Sequence, residues 1–184
     1  MMNLPEPGML LIAEPFLRDP NFSRSVILLC EHKEEGSFGL LLNRPYHQTL
    51  EDLIPECEGL DYVISDGGPV QRDTLHFIHQ YPERIPGGSE LRDGMYWGGD
   101  FELAVRLLKQ GIIHADRIRF FIGYSGWTQG QLASEVEEKS WLVTPGSRKL
   151  VFARAQIETW KESLRDMGGE YEILVNFPID PSMN

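Results

Sequence analysis

The chain reads as an α+β protein of one domain, residues 1–184, with a mixed sheet and helices packed outside it. Three observations lead there. Apolar runs of strand length crowd the first half, helical spacing is confined to a few later segments with start and stop signals, and the two kinds alternate without a regular strand-helix-strand order. No repeat, low-complexity tract or long linker divides the chain.

In chain order, residues 8–13 (GMLLIA), 25–32 (SVILLCEH) and 38–45 (FGLLLNRP) are apolar runs bounded by Pro, Gly, Asp and Asn, which predicts strands buried on both faces. The segment TLEDLIPE predicts one or two helical turns stopped by Pro55, since proline lacks the amide a helix interior needs. DYVIS and TLHFIHQY predict strands on either side of the turn DGGPV, and residues 81–94 read as loop. Asp100 is placed to cap a helix over FELAVRLLKQ, with Gly111 where a left-handed residue closes it. Residues 117–124 (RIRFFIGY) predict a strand, a helix follows from about Gln129, and WLVT predicts a short strand. The last helix is expected over ARAQIETWKESLRDMGG, with Ile157, Trp160 and Leu164 on one stripe and an end at Gly168.

Composition excludes several function classes. Of 184 residues, 41% are hydrophobic and 24% charged, the balance of a chain that folds on its own. The net charge of -11, with Lys and Arg scattered, opposes attraction to phosphate backbones, so direct nucleic-acid binding and binding to an anionic membrane are not expected. Cys30 and Cys57 lack metal-ligand spacing and predict two reduced thiols. The first residues show no basic leader and too short an apolar run for a membrane span, which predicts a cytoplasmic protein.

The segment Gly123-Tyr124-Ser125-Gly126-Trp127 poses the sharpest question of chemistry. A hydrolase elbow needs Gly-x-Ser-x-Gly, because its strained turn tolerates only glycine beside the neighbouring elements. Trp127 occupies the last position, and no histidine follows Ser125. The residues read instead as the turn from strand to helix, with Thr128 and Gln131 forming a capping box in which the Thr128 hydroxyl accepts the Gln131 amide. Glu135 stands close enough to the helix start to point toward that turn.

Gly123-Tyr124-Ser125-Gly126-Trp127, Gly130-Gln131-Leu132, Glu135 and Trp141 together are similar to the signature of the YqgE/AlgH family of bacterial proteins. Asp19-Pro20, Phe22, Ser25-Val26, Glu31-His32, Asn43-Arg44-Pro45 and Gly67-Gly68-Pro69-Val70 agree, in the same order. The resemblance spans from about residue 8 to Trp141. It implies a single compact domain with a mixed, strongly bent sheet, no assigned activity for most members, and the label of transcriptional regulator for one branch. No helix-turn-helix is visible to support that label as direct DNA contact.

The expected function is a cytosolic, non-enzymatic binding or regulatory protein with an unidentified protein or small-molecule partner. Its surface would be built from His32, Asn43, Arg44, Gly67, Gly68, Ser125, Gly126, Trp127, Gln131 and Glu135. Arg44 has the fork to hold a carboxylate or phosphate, against the plainer reading that it pairs with a local acid. His32 beside Glu31 resembles a base and its orienting acid, but neighbours on a strand face opposite ways. The same parity separates His76 from His79 and removes them as a metal pair. No catalytic set, metal site or cofactor motif emerges; the alternative is an enzyme acting on a small polar molecule at the same loops.

Overall fold

The computed structural model describes residues 3–179, so the end of the tail NFPIDPSMN, residues 180–184, lies outside it. The first elements are β1 (Met9–Ala13), β2 (Val26–Lys33), β3 (Gly36–Leu41), β4 (Pro45–Thr49) and the short helix α1 (Leu50–Leu53). Then come β5 (Val63–Asp66), β6 (Val70–His79), β7 (Ser89–Glu90), β8 (Tyr96–Trp97) and α2 (Phe101–Lys109). The chain continues through β9 (Ile118–Thr128), α3 (Gln131–Glu137), β10 (Trp141–Pro145), α4 (Arg148–Val151), α5 (Thr159–Met167) and α6 (Tyr171–Leu174).

The strands form one open mixed sheet in the order β10-β1-β2-β3-β9-β6-β8-β7, with β5 against β9 and β4 against β5. Among the described residues every pairing is antiparallel except β5 with β9. β9 joins two half-sheets: its first half pairs with β5 and β6, and its second half with β3. The fold is α+β.

The first half-sheet is covered on both faces, as continuous apolar runs require. Leu10 and Ile12 enter a core with Leu28, Leu40, Phe121, Trp160 and Leu164, so α5 covers that face. Met9, Leu11 and Ala13 enter the opposite core with Ile27, Leu29, Leu41, Leu132 and Val136, under α3. Each such aliphatic side chain stabilises the fold by roughly 1.5–3 kcal/mol. In the second half-sheet, Ile64, Phe77, Phe120 and Ile122 pack beneath Ala104, Val105 and Leu108 of α2. Asp100 caps α2 as expected, accepting the Leu103 amide at 3.0 Å.

Several expectations need correction. Gly123 to Gly126 is not a turn: the ladder continues through it onto β3, pairing Ser125 with Gly39 and Thr128 with Gly36. The helix after it starts at Gln131, behind a left-handed Gly130 at φ 75°. The Thr128 hydroxyl does not accept the Gln131 amide; the Thr128 amide and hydroxyl both donate to Gln131 Oε1, at 3.0 and 3.3 Å. Only the reach back by Gln131 survives from the capping box. The run 38–45 is broken, because Asn43 and Arg44 turn the chain from β3 into β4. The last long helix begins at Thr159, and Ile157 is 77% exposed, off the stripe on which Trp160 and Leu164 lie.

Candidate functional site

All residues of the expected surface but His32 fall into three linked groups. The first is a chain crossing. After β5, Gly67 and Gly68 carry the backbone across β9 at Gly123 to start β6 on the other side. A Cβ on Gly67 would lie 2.4 Å from the Gly123 oxygen, one on Gly68 2.2 Å from the Tyr124 oxygen, and one on Gly123 2.5 Å from the Gly68 oxygen. The backbones touch so closely that only glycine fits. Ser125 is fully buried beside this crossing and its hydroxyl donates to the Gly67 carbonyl at 3.2 Å, a bond shared with the Leu41 amide at 2.9 Å. Gly126 follows in β9, opposite Phe38.

The second group surrounds Glu135. One carboxylate oxygen accepts the indole N–H of Trp127 at 2.9 Å and that of Trp141 at 2.7 Å, while the other accepts Gln131 Nε2 at 3.0 Å. The two indoles meet edge to face, with centroids 6.1 Å apart. Phe22 packs on both, 6.4 Å from Trp127 and 5.8 Å from Trp141. These aromatic contacts close the core beneath α3.

The third group holds the loop that carries Phe22. Asn43 accepts the Val26 amide at 2.9 Å and donates to the Arg24 carbonyl at 2.8 Å. Among the described residues Arg44 neither pairs with an acid nor stands free: its guanidinium donates to the carbonyls of Pro20, Asn21 and Ser23. His32 lies apart, at the exposed end of β2, with Nδ1 2.7 Å from Ser37 Oγ. Glu31 turns to Lys33 at 3.0 Å instead.

A different concavity carries a group that pattern reading passed over. A cleft of about 460 Å³ opens beside β6, lined by Ile54, Leu75, His76, Phe77, Trp97 and Phe101. The His76 ring is enclosed by Phe38, Tyr124 and Trp97, at centroid distances of 5.0, 6.0 and 6.3 Å. Its Nε2 is buried and has no hydrogen-bond partner among the described residues. Burial also pushes its imidazole below the ordinary histidine pKa, which favours the neutral ring. The four aromatic residues come from four separate strands, and no local motif announces them. Among the described residues no cluster of His, Cys, Asp or Glu could hold a metal, Cys30 and Cys57 are unpaired and buried, and no helix is long and apolar enough to cross a membrane.

Comparison with known proteins places this geometry. A protein from Chlorobium limicola, named only as a UPF0301 protein, is 44% identical over 97% of this chain and 95% of its own length. A similarly named protein from Cytophaga hutchinsonii is 40% identical over 96% of this chain and 98% of its own. The crystal structure of a Corynebacterium diphtheriae protein superimposes with a TM-score of 0.81 at 25% identity, covering 96% of this chain and 95% of that one. The solution structure of AlgH from Pseudomonas aeruginosa gives 0.73 at 25% identity, over 96% and 98%. The model of the AlgH-like family matches residues 10–172, nearly the whole of the sheet and its helices. The chain therefore belongs to the AlgH-like family.

Proposed function

We propose that this chain is a cytoplasmic binding protein rather than an enzyme, and that its ligand is a small planar molecule seated in the cleft beside His76. The observation that carries the reading is the buried, unpartnered His76 Nε2 in an aromatic wall. An orphaned polar atom costs roughly 1–3 kcal/mol, which a ligand hydrogen bond would recover where the rings of Phe38, Tyr124 and Trp97 part to admit it. The residues first expected to form the site serve the framework in this reading. Ser125 is sealed from solvent, Glu135 joins two indoles, and Asn43 and Arg44 hold the loop of Phe22. Any regulatory role would run through the bound ligand or a protein partner, because the charge of -11 opposes DNA.

The test is a saturation-transfer NMR screen of heteroaromatic fragments bearing a hydrogen-bond donor. Hits should shift the Trp97 indole resonance and weaken about tenfold in His76→Phe, which keeps an aromatic ring and removes the nitrogen. Hits indifferent to both His76→Phe and Trp97→Ala would refute the site. Conversion of a hit to product would refute the non-enzymatic reading while leaving the cleft in place.

A further inference from the structure

We propose that a second cleft, on the far side of β9, binds a small oxyanion carried on an apolar body, with Arg119 as its anchor. This cleft, about 290 Å³ in volume, is lined by Tyr62, Val63, Phe120 and Phe152 on its apolar side and by Arg119, Arg154, Gln156 and Asp116 on its polar side. It belongs neither to the His76 cleft nor to the groups around Ser125 and Glu135.

Arg119 projects from β9 under the end of α4, with its guanidinium 4.9 Å from the centre of the Phe121 ring. It donates to the carbonyls of Leu42, at 2.8 Å, and Val151, and to the Ser65 hydroxyl. All three acceptors are neutral. Among the described residues no carboxylate lies within ion-pair distance of it, and its Nε–H has no acceptor. A half-buried cation with only neutral partners is costly, and structural arginines ordinarily meet a carboxylate. Burial pushes the guanidinium down to about 10, which still leaves it charged at neutral pH.

The surroundings are arranged to add donors. Ser65, having accepted from Arg119, donates its own O–H to Gln156 Oε1 at 3.2 Å. That bond fixes Gln156 by its oxygen and leaves its amide N–H groups for another acceptor. Arg154 brings a second positive charge to the rim, against the single acid Asp116. The polar side therefore suits one negative charge, and the Val63, Phe120 and Phe152 wall suits a ring or short alkyl group behind it. The volume admits a molecule of about the size of benzoate.

The experiment titrates the ¹⁵N-labelled full chain with benzoate, phenyl phosphate, inorganic phosphate and neutral benzamide. Saturable shifts at the amides of Phe152, Ala153 and Gln156 are expected with benzoate or phenyl phosphate, with the Trp97 indole unmoved. The tighter of these two assigns the carboxylate or the phosphate class. Inorganic phosphate should bind more weakly, and benzamide at least tenfold more weakly. Arg154→Met, on an exposed residue, should reduce affinity about tenfold, as should Gln156→Leu. Arg119→Lys should lose most of the binding; should it not fold, Arg154→Met and Gln156→Leu decide. Equal binding of benzamide, shifts that do not saturate, or unchanged affinity in both of those variants would each overturn the proposal.

Discussion

His79 uses both ring nitrogens in the neutral form. It is fully buried, its Nδ1 accepts the Tyr81 amide at 3.0 Å, and its Nε2–H donates to the Gly98 carbonyl at 2.9 Å. Protonation at Nδ1 would replace that acceptor with a donor facing a donor. Burial lowers the pKa of His79 and His76 below 6.5. For a base with a depressed folded pKa, the unfolded chain takes up the proton first, so stability rises with pH through this range. The full contribution is expected above about 6.5 and should be lost as the pH falls from there through the depressed folded values. Thermal melts between pH 7.5 and 5 should show this fall, and both imidazoles should titrate below 6.5 by NMR; a flat melting temperature across the range would contradict it. Glu135 offers a second check at this scale. Glu135→Gln retains an oxygen for the two indoles and should cost about 1 kcal/mol, whereas Glu135→Ala strands both N–H groups and should cost about 2–4 kcal/mol in denaturant melts.

At the scale of elements, the crossing of the β5–β6 link over β9 makes a sharp prediction. Gly68 and Gly130 both have φ outside the usual range for other residues, at 145° and 75°, but only Gly68 has backbone pressed against it. Gly130→Ala should therefore cost only the left-handed strain, roughly 1–2 kcal/mol. Gly68→Ala should cost more than about 4 kcal/mol and leave little folded protein, measured by circular dichroism in parallel. The same crossing shows what the sequence could and could not reveal. β1 and β2 were legible because continuous apolar runs state their own burial, and α2 because Asp100 and Gly111 mark its ends. Gly67-Gly68-Pro69 and Gly123 each read as a turn, since glycine is the local signal for one. Their contact joins residues far apart in the chain, and no local pattern encodes it. For Glu135 the sequence shows only that it points toward the start of its helix; neither Trp127 nor Trp141 is legible there as its partner. The helix expected over ARAQIETWKESLRDMGG is too long because Ile157 happens to fall at helical spacing from Trp160 and Leu164; the chain there forms a separate short turn before α5. The His76 and Arg119 clefts were invisible, as their walls gather from segments with no shared motif.

In the molecule as a whole, β9 is the strand on which β3, β5 and β6 all depend for a neighbour, and β1 likewise takes β10 as its outer neighbour. Translation delivers these in the opposite order. β1 to β6 leave the ribosome first, and their apolar edges stay open until residues 118–128 and 141–145 follow. Between the end of β6 and the end of β9 lie the residues from His79 to Thr128, which take a few seconds to synthesise at about 5–20 residues per second. During that interval the nascent chain presents unpaired apolar edges, the surface on which strands of separate molecules join. A fragment ending at Gln110 should accordingly aggregate, and should regain solubility when a peptide covering 115–147 is supplied during refolding. Soluble, folded fragment without the peptide would show that the first half closes on itself. Pairing at such long sequence separation also slows folding, because the loops must close before the contacts stabilise them. This architecture is thus one whose exposure to chaperones is set by its last strands rather than by its apolar content.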